Sequence, residues 1–148
     1  MSEALFQEAA RDIAEMEAFL ATFNFTLDKV PSDGGWTASQ CLAHLADAEI
    51  SLSLRIRMML TSEDYNFAGW DEDAFAELKK DRDSRTSVAV FNSLRTSNIE
   101  LLSGLNEQQL VRMGRKANGE PISIIDYFAA MSRHVRNHLE QASKAAQG

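Results

Sequence analysis

Residues 34–60, GGWTASQCLAHLADAEISLSLRIRMML, carry the pattern of one long amphipathic helix. Thr37 and Gln40 have the spacing of a capping box, in which a hydroxyl and a glutamine three residues later satisfy free backbone N–H groups. Apolar or small side chains then recur every three or four residues, at Cys41, Leu45, Ala48, Leu52, Ile56 and Met59. This period predicts a helix that begins after Trp36, continues to about Leu60 and buries one face.

Three further segments show the same period. They cover about Glu3 to Phe23, about Thr86 to Leu105, and from a cap at Ser123 to about Ser143. No segment has the pattern of a convincing strand, and the chain has only two prolines and seven glycines to interrupt helices. We therefore predict an all-α protein, a four-helix bundle formed by a single domain over residues 1–148.

The connections contain shorter elements. DEDAFAELKK (71–80) has acids at its start and lysines at its end, which predicts a short helix in the long link between the second and third helices. NEQQLVRM (106–113) could add one turn to the third helix. The Asn-Gly pair in GRKANGEP (114–121) could close a small hairpin.

Charge and composition exclude several classes of function. The 148 residues include 22 acidic and 15 basic side chains and have a formal net charge of −7, whereas a protein that holds nucleic acid needs a positive face. No apolar run approaches the roughly 18 residues of a membrane span. The N-terminal stretch does not resemble a signal peptide, and the chain has one cysteine. We expect a cytoplasmic protein that binds neither nucleic acid nor membrane.

All three histidines lie on predicted helices. His134 and His138 are one helical turn apart in MSRHVRNHLEQ (131–141), beside the apolar stripe of the last helix, and His44 lies in CLAHLADAE (41–49) of the second. Two histidines at this spacing can bind one cation, and a third from a facing helix would leave a coordination position open. The spacing alone does not join His44 to the other two, so three unrelated structural histidines are the alternative.

Three stretches together resemble the DinB-like (YfiT-like) superfamily. GGWTASQCLAHLADAEISLSLRIRMML is similar to its first motif, in which a tryptophan opens the second helix and a histidine follows. NFAGWDEDAFAEL (66–78) resembles its middle connection. MSRHVRNHLEQ resembles its closing motif, two histidines four residues apart followed by a glutamine or similar residue. The likeness spans most of the chain in the same order and includes every histidine.

The resemblance implies both a fold and a metal site. It implies a four-helix bundle of up-down-down-up topology with long crossovers, which often forms a homodimer. It also implies one divalent metal ion bound by His44, His134 and His138. We expect zinc or nickel, with iron and manganese as the other candidates, because imidazole accepts several first-row ions.

Three residues of the second helix are candidates for a supporting role at this site. Asp47 follows His44 by three residues and could orient it or hold a water, although an ion pair with an arginine is the reading we favour. Arg55 could anchor an anionic substrate or, as we favour, brace the connection that contains NFAGW. Cys41, one turn before His44, could ligate the metal as a thiolate or be a small buried side chain.

Four other residues have simpler interpretations. Glu49 is expected to pair with Arg55 or Arg57, or to support a loop. Trp36 and Trp70 are interpreted as packing residues rather than platforms for a ligand. Tyr127 could line the mouth of a pocket but is more typical of packing on a helix surface.

The function expected from these features is metal-dependent. HVRNH lacks the glutamate of the zinc-protease motif H-E-x-x-H, and no catalytic serine triad or phosphate-binding loop is present in the sequence. The resemblance to the DinB-like superfamily then implies a hydrolase, or a transferase that uses a low-molecular-weight thiol, acting on a small molecule. The alternative is a metal-binding or stress-related helical interaction protein without catalysis.

Overall fold

A computed structural model describes residues 2–148 and contains four long helices joined by shorter elements. In chain order the elements are α1 (Ser2–Phe23), α2 (Ala38–Thr61), α3 (Glu72–Glu77), α4 (Ser84–Ser103), α5 (Glu107–Leu110), β1 (Met113–Arg115), β2 (Pro121–Ser123) and α6 (Ile124–Gln147). The predicted all-α class and the four long helices are confirmed. The last helix continues about one turn beyond the predicted end.

The helix boundaries follow from side-chain caps. The predicted capping box of α2 is present, with the Gln40 N–H donating to Thr37 Oγ1 and the Thr37 N–H donating to Gln40 Oε1. Ser123 caps α6 as predicted, because its hydroxyl accepts from the Asp126 N–H. The residues after Gly104 do not extend α4. They form the separate α5 because Asn106 begins a second capping box with Gln109.

Two hydrophobic clusters show how the four long helices run. One cluster joins the C-terminal parts of α1 and α6 to the N-terminal parts of α2 and α4, and includes Met16, Leu42, Val88 and Leu139. The other joins the opposite ends of the same helices. Helices α1 and α6 therefore point one way and α2 and α4 the other, which is the predicted up-down-down-up topology.

This topology requires one connection to run the length of the bundle. Helices α2 and α4 are parallel neighbours, so residues 62–83 must return from the end of α2 to the start of α4. This crossover segment contains α3, which packs on α2. The other two long connections join helix ends that already lie at the same end of the bundle.

A small hairpin, β1–β2, lies in the connection between α4 and α6 and directly precedes α6. Its strands pair antiparallel from Met113 with Ser123 to Arg115 with Pro121. The turn uses the predicted Asn-Gly pair, and Gly119 has a φ of 89°, a conformation that costs a side-chain-bearing residue energy. The Phe67 N–H donates to the Arg115 carbonyl at 2.7 Å, which ties the crossover segment to this hairpin.

A network of charged side chains is buried between α1, α2, α4 and α6. The Arg95 guanidinium donates two hydrogen bonds of 2.9 Å to the Glu49 carboxylate and one of 2.7 Å to Asp12. All three side chains are at most 3% exposed. Glu49 also accepts from the Asn98 amide at 3.0 Å. The expectation that Glu49 pairs with Arg55 or Arg57 was wrong, because its face of α2 is turned toward α4.

A bilayer span needs a long helix of high mean hydropathy. Across residues 2–148, no helix is both long enough and apolar enough to cross a membrane.

Candidate metal centre

The facing surfaces of α2 and α6 bring the three histidines together. These helices are antiparallel, so His44 near the start of α2 lies opposite His134 and His138, which lie at and just beyond the middle of α6. One ring nitrogen from each histidine lies within 4.8 Å of the others. His44 is buried, and the other two are half-buried.

The distance between two of these ring nitrogens fits one tetrahedral metal ion. The Nε2 atoms of His44 and His134 are 3.1 Å apart. An ion that binds imidazole at about 2.0–2.1 Å in tetrahedral geometry holds its ligand atoms about 3.3 Å from one another. Three such ligands leave a fourth position for a water or substrate, as in catalytic rather than structural zinc sites.

Burial keeps two of the imidazoles neutral. It lowers the pKa of His44 to about 3, with smaller contributions from the charges of His138 and His134. It also lowers the pKa of His134 to about 4, and here the charges of His138 and Arg95 add to the effect. Both rings are therefore uncharged near neutral pH, and the uncharged ring is the form that binds a metal.

Gln141 orients one of the three rings. His138 Nδ1 and Gln141 Oε1 are 2.9 Å apart. In the tautomer that leaves Nε2 free for a metal, the Nδ1–H donates to this amide oxygen, which is the usual arrangement behind a metal-binding histidine. The buried Nδ1 atoms of His44 and His134 have no such partner within residues 2–148.

Both tryptophans lie against the histidines. The Trp36 ring centre is 5.1 Å from that of His44 and 6.0 Å from that of His138. Trp70, from the crossover segment, stacks on His44 with ring centres 5.7 Å apart and an angle of 29° between the planes. The indoles pack, as expected, but what they pack against is the candidate metal site.

Asp47 pairs with an arginine of the crossover segment. Its two carboxylate oxygens each accept a 3.0 Å hydrogen bond from Arg82, which also donates to the Phe75 carbonyl. This pair fastens the crossover segment to α2. The ion pair was the favoured interpretation of Asp47, and among the described residues no hydrogen bond joins Asp47 to His44.

Arg55 braces the crossover segment, as favoured from the sequence. It donates to the Ala68 carbonyl at 2.8 Å and to the Tyr127 hydroxyl at 3.2 Å, and its guanidinium lies 4.5 Å from the centre of the Phe67 ring. Tyr127 is buried in the core rather than at a pocket mouth, and burial raises the pKa of its hydroxyl.

Cys41 is a buried core residue. Its side chain has no exposed surface, and burial raises the pKa of the thiol to about 12. The thiolate, which is the form that binds metals, is therefore strongly disfavoured. The group of side chains that could hold an ion contains the three histidines without Cys41.

Replacing Cys41 with alanine should leave metal binding unchanged. The native thiol should react with an aromatic disulfide reagent only after the protein is unfolded, because the buried thiol is both inaccessible and protonated. Metal content per chain, measured for the wild type and Cys41→Ala, checks the first statement. Rapid labelling of the folded protein, or loss of metal from the variant, would show that Cys41 takes part in the site.

Sequence reasoning did not assign roles to Gln141 and Trp70 at the site. For Gln141 a signal was available, because a residue three positions after a helical histidine lies beside it. For Trp70 there was no comparable signal. Its position depends on the path of the crossover segment, which no periodic pattern describes.

Sequence comparison relates the chain to proteins that are named as metal-dependent. Residues 8–142 match the family model of the DinB superfamily. The chain is 38% identical over 88 residues to the Bacillus subtilis protein named "Putative metal-dependent hydrolase YfiT", a match that covers 58% of this chain and 49% of that one. A Bacillus pumilus protein, also named "Putative metal-dependent hydrolase", is 28% identical over 118 residues, covering 76% and 66% of the two chains. The chain thus spans between about half and two thirds of these relatives.

The solved structure of Bacillus subtilis YfiT has the same fold. It superimposes with a TM-score of 0.90 and 26% identity over 98% of this chain and 85% of that one, and is described as a probable metal-dependent hydrolase with an unusual four-helix bundle topology. The family match covers most of the sequence, and the structural match covers nearly all of the described fold. The chain therefore belongs to the DinB superfamily.

Proposed function

We propose that the chain is a metal-dependent hydrolase of a small molecule and that His44, His134 and His138 hold its divalent ion. The observation that carries the proposal is the convergence of three imidazole nitrogens, two of them 3.1 Å apart, with no fourth protein ligand in the group. The relatives named as metal-dependent hydrolases support the same reaction class.

The metal would supply the chemistry that the side chains lack. A divalent ion with an open position lowers the pKa of water and polarises a carbonyl group. Within residues 2–148, none of the ion pairs includes a histidine of the site, and HVRNH lacks the glutamate that serves as the base in an H-E-x-x-H protease. The protein's own contribution is to keep His44 and His134 neutral, to orient His138 through Gln141, and to cover His44 with indole rings.

A thiol-dependent transfer is the second candidate. Three neutral imidazoles leave the full charge of a divalent ion uncompensated, which favours an anionic fourth ligand such as a thiolate. A thiolate bound in this way needs no protein base. The thiol would be a low-molecular-weight compound, because the only cysteine of the chain is buried.

The metal is expected to be zinc or nickel, with iron or manganese as the other candidates. A homodimer stays a prediction from the family resemblance. A metal-binding protein without turnover is the remaining alternative, and the following experiment separates it from the hydrolase.

The purified protein should contain about one divalent ion per chain, and a chelator should remove both the ion and the hydrolytic activity. Restoring zinc or nickel at roughly 1,000 times the dissociation constant should stabilise the fold by about 4 kcal/mol, or about 10 °C in Tm. Elemental analysis, thermal melts and a panel of ester, amide and thioester substrates measure these effects. Adding a small thiol to the same panel tests the transferase candidate.

The possible outcomes distinguish the candidates. Protein that holds no stoichiometric metal, and whose Tm does not respond to zinc or nickel, would overturn the metal site itself. Protein that binds the ion tightly but turns over nothing, with or without thiol, would instead favour the non-catalytic alternative. Activity that persists after complete removal of the metal would rule out the proposed mechanism.

A further inference from the structure

Two indole rings reach the candidate metal centre from two different non-helical segments. Trp36 ends the loop before α2, and Trp70 lies in the crossover segment after it. Both ring centres are within 6 Å of the centre of His44, and Trp36 also stacks on His138 at 6.0 Å with 20° between the planes. The chain has only these two tryptophans, and the fold brings both to one site.

The two indoles are held on rigid supports. Trp36 packs on the hydrophobic cluster at the end of the bundle and directly precedes the capping box of α2. Trp70 packs on Phe75, with ring centres 4.8 Å apart. Its segment is held by the hydrogen bond from Arg55 to the Ala68 carbonyl. Supports of this kind favour a preformed binding surface.

The indoles also remain accessible beside the histidines. Each tryptophan is half-buried, so part of each indole stays uncovered. The acid nearest in sequence to His44, Asp47, is neutralised by its two hydrogen bonds with Arg82. A surface of partly exposed aromatic rings favours a flat group, because aromatic rings stack in offset or edge-to-face arrangements.

We propose that Trp36 and Trp70 form a subsite for an aromatic ring of the substrate beside the open coordination position. The substrate class is therefore a small molecule whose reacting carbonyl is attached to, or close to, an aromatic ring. This inference rests on the proposed function, because the open position exists only if the histidines hold a metal.

The test compares three hydroxamates, which bind metals through the same two oxygens but differ in the attached group. Benzohydroxamate carries a flat ring, cyclohexanecarbohydroxamate an apolar ring of similar size, and acetohydroxamate a methyl group. Binding to the zinc-loaded protein is measured by calorimetry, after the metal content of each sample has been determined. We expect benzohydroxamate to bind about ten times more tightly than acetohydroxamate, and several times more tightly than the cyclohexyl compound.

Variants of Trp70 show whether the indole is responsible. Trp70→Ala should remove most of the preference for benzohydroxamate while acetohydroxamate binds as before, and Trp70→Phe should keep most of it. Trp70→Leu fills the space with an aliphatic side chain, and it replaces the alanine variant in this comparison if Trp70→Ala loses its metal. It should lose the aromatic preference as well. Trp36 is left unchanged, because it packs against the core cluster.

The result that overturns the subsite differs from the one that overturns the metal site. A zinc-loaded wild type that binds the three hydroxamates equally overturns the aromatic subsite, and so does a preference that survives in both Trp70→Ala and Trp70→Leu. In either case the proposed hydrolase remains. A wild type that takes up no zinc overturns the proposed function, and this inference with it.

Discussion

Replacing Arg95 with methionine is expected to destabilise the fold by about 3–5 kcal/mol, a large share of the total stability of a domain of this size. The substitution removes the only guanidinium that contacts both Asp12 and Glu49 among the described residues. Two buried carboxylates then lose the positive side chain that donates hydrogen bonds to them. Urea unfolding of the wild type and the variant measures the difference.

The surroundings of Arg95 explain why this loss should be large. The guanidinium has no exposed surface, and it lies between the rings of Phe91 and Phe128 at 4.8 and 5.2 Å. Water therefore cannot replace the lost hydrogen bonds without opening the core. Methionine has a similar length and fills much of the same space, so the measured loss reflects the unpaired charges more than a cavity.

Two further variants separate charge from packing. Arg136→Met makes the same substitution at a half-exposed ion pair with Glu8 and should cost much less. Adding Asp12→Asn and Glu49→Gln to Arg95→Met should recover part of the lost stability, since the buried negative charges are gone. If Arg95→Met and Arg136→Met unfold at the same urea concentration, the buried network does not stabilise the protein as argued.

The loss should also depend on pH. Burial already raises the pKa of Asp12 in the presence of Arg95, and removing the guanidinium should raise the pKa further. A carboxyl group whose folded pKa lies above its unfolded pKa destabilises the fold at high pH, and this cost disappears as the pH falls. The difference between Arg95→Met and the wild type should therefore be smaller at about pH 5 than at about pH 8.

Most of the fold could be predicted from local patterns. The helix period and the caps at Thr37 and Ser123 depend on residues close together in the chain, and the structure has both caps. The separate α5 was missed because Asn106 and Gln109 form a second capping box inside a segment that also continues an apolar pattern. The topology came from the resemblance, since periodicity does not state which helices are parallel.

The candidate site was also predictable only in part, because local patterns do not show which helices face each other. The i, i+4 spacing places His134 and His138 on one face of a helix, but pairing that face with His44 depends on the order of the helices. The predicted partner of Glu49 was wrong. The apolar period shows that α2 has a buried face, but it does not show that α4 contributes Arg95 to that face. The spacing of residues within one helix does not show which other helix that helix contacts.

The topology connects these features. Because α2 and α4 are parallel, the chain needs a crossover along the bundle, and this crossover carries Trp70 to His44. Two residues of α2 hold the crossover segment on either side of Trp70. Asp47 binds Arg82, and Arg55 binds the Ala68 carbonyl. Both residues were candidates for a supporting role at the metal site, although an ion pair and a brace were the favoured interpretations. In the structure they secure the segment that covers the histidines.

Replacing His138 with alanine is expected to weaken metal binding more than about 100-fold, or roughly 3 kcal/mol. The variant keeps His44 and His134 but removes one of three converging nitrogens. A bidentate pair holds the ion through two bonds and leaves it open to water on the remaining sides. His138 is half-buried, so its truncation disturbs the core less than truncation of the buried His44. Competition with a metal-binding dye measures the dissociation constant.

Two neighbouring residues of α6 provide a graded comparison. Gln141→Ala removes the partner of His138 Nδ1 and should weaken binding about 10- to 100-fold, because the ring loses its fixed orientation. Asn137→Ala changes an exposed side chain between the two histidines and should leave the dissociation constant unchanged. From tightest to weakest zinc binding, the order expected from the geometry is Asn137→Ala, then Gln141→Ala, then His138→Ala. If all three variants bind zinc as the wild type does, while the metal-free proteins melt alike, the histidines do not form the metal site, and their convergence is a packing arrangement between α2 and α6.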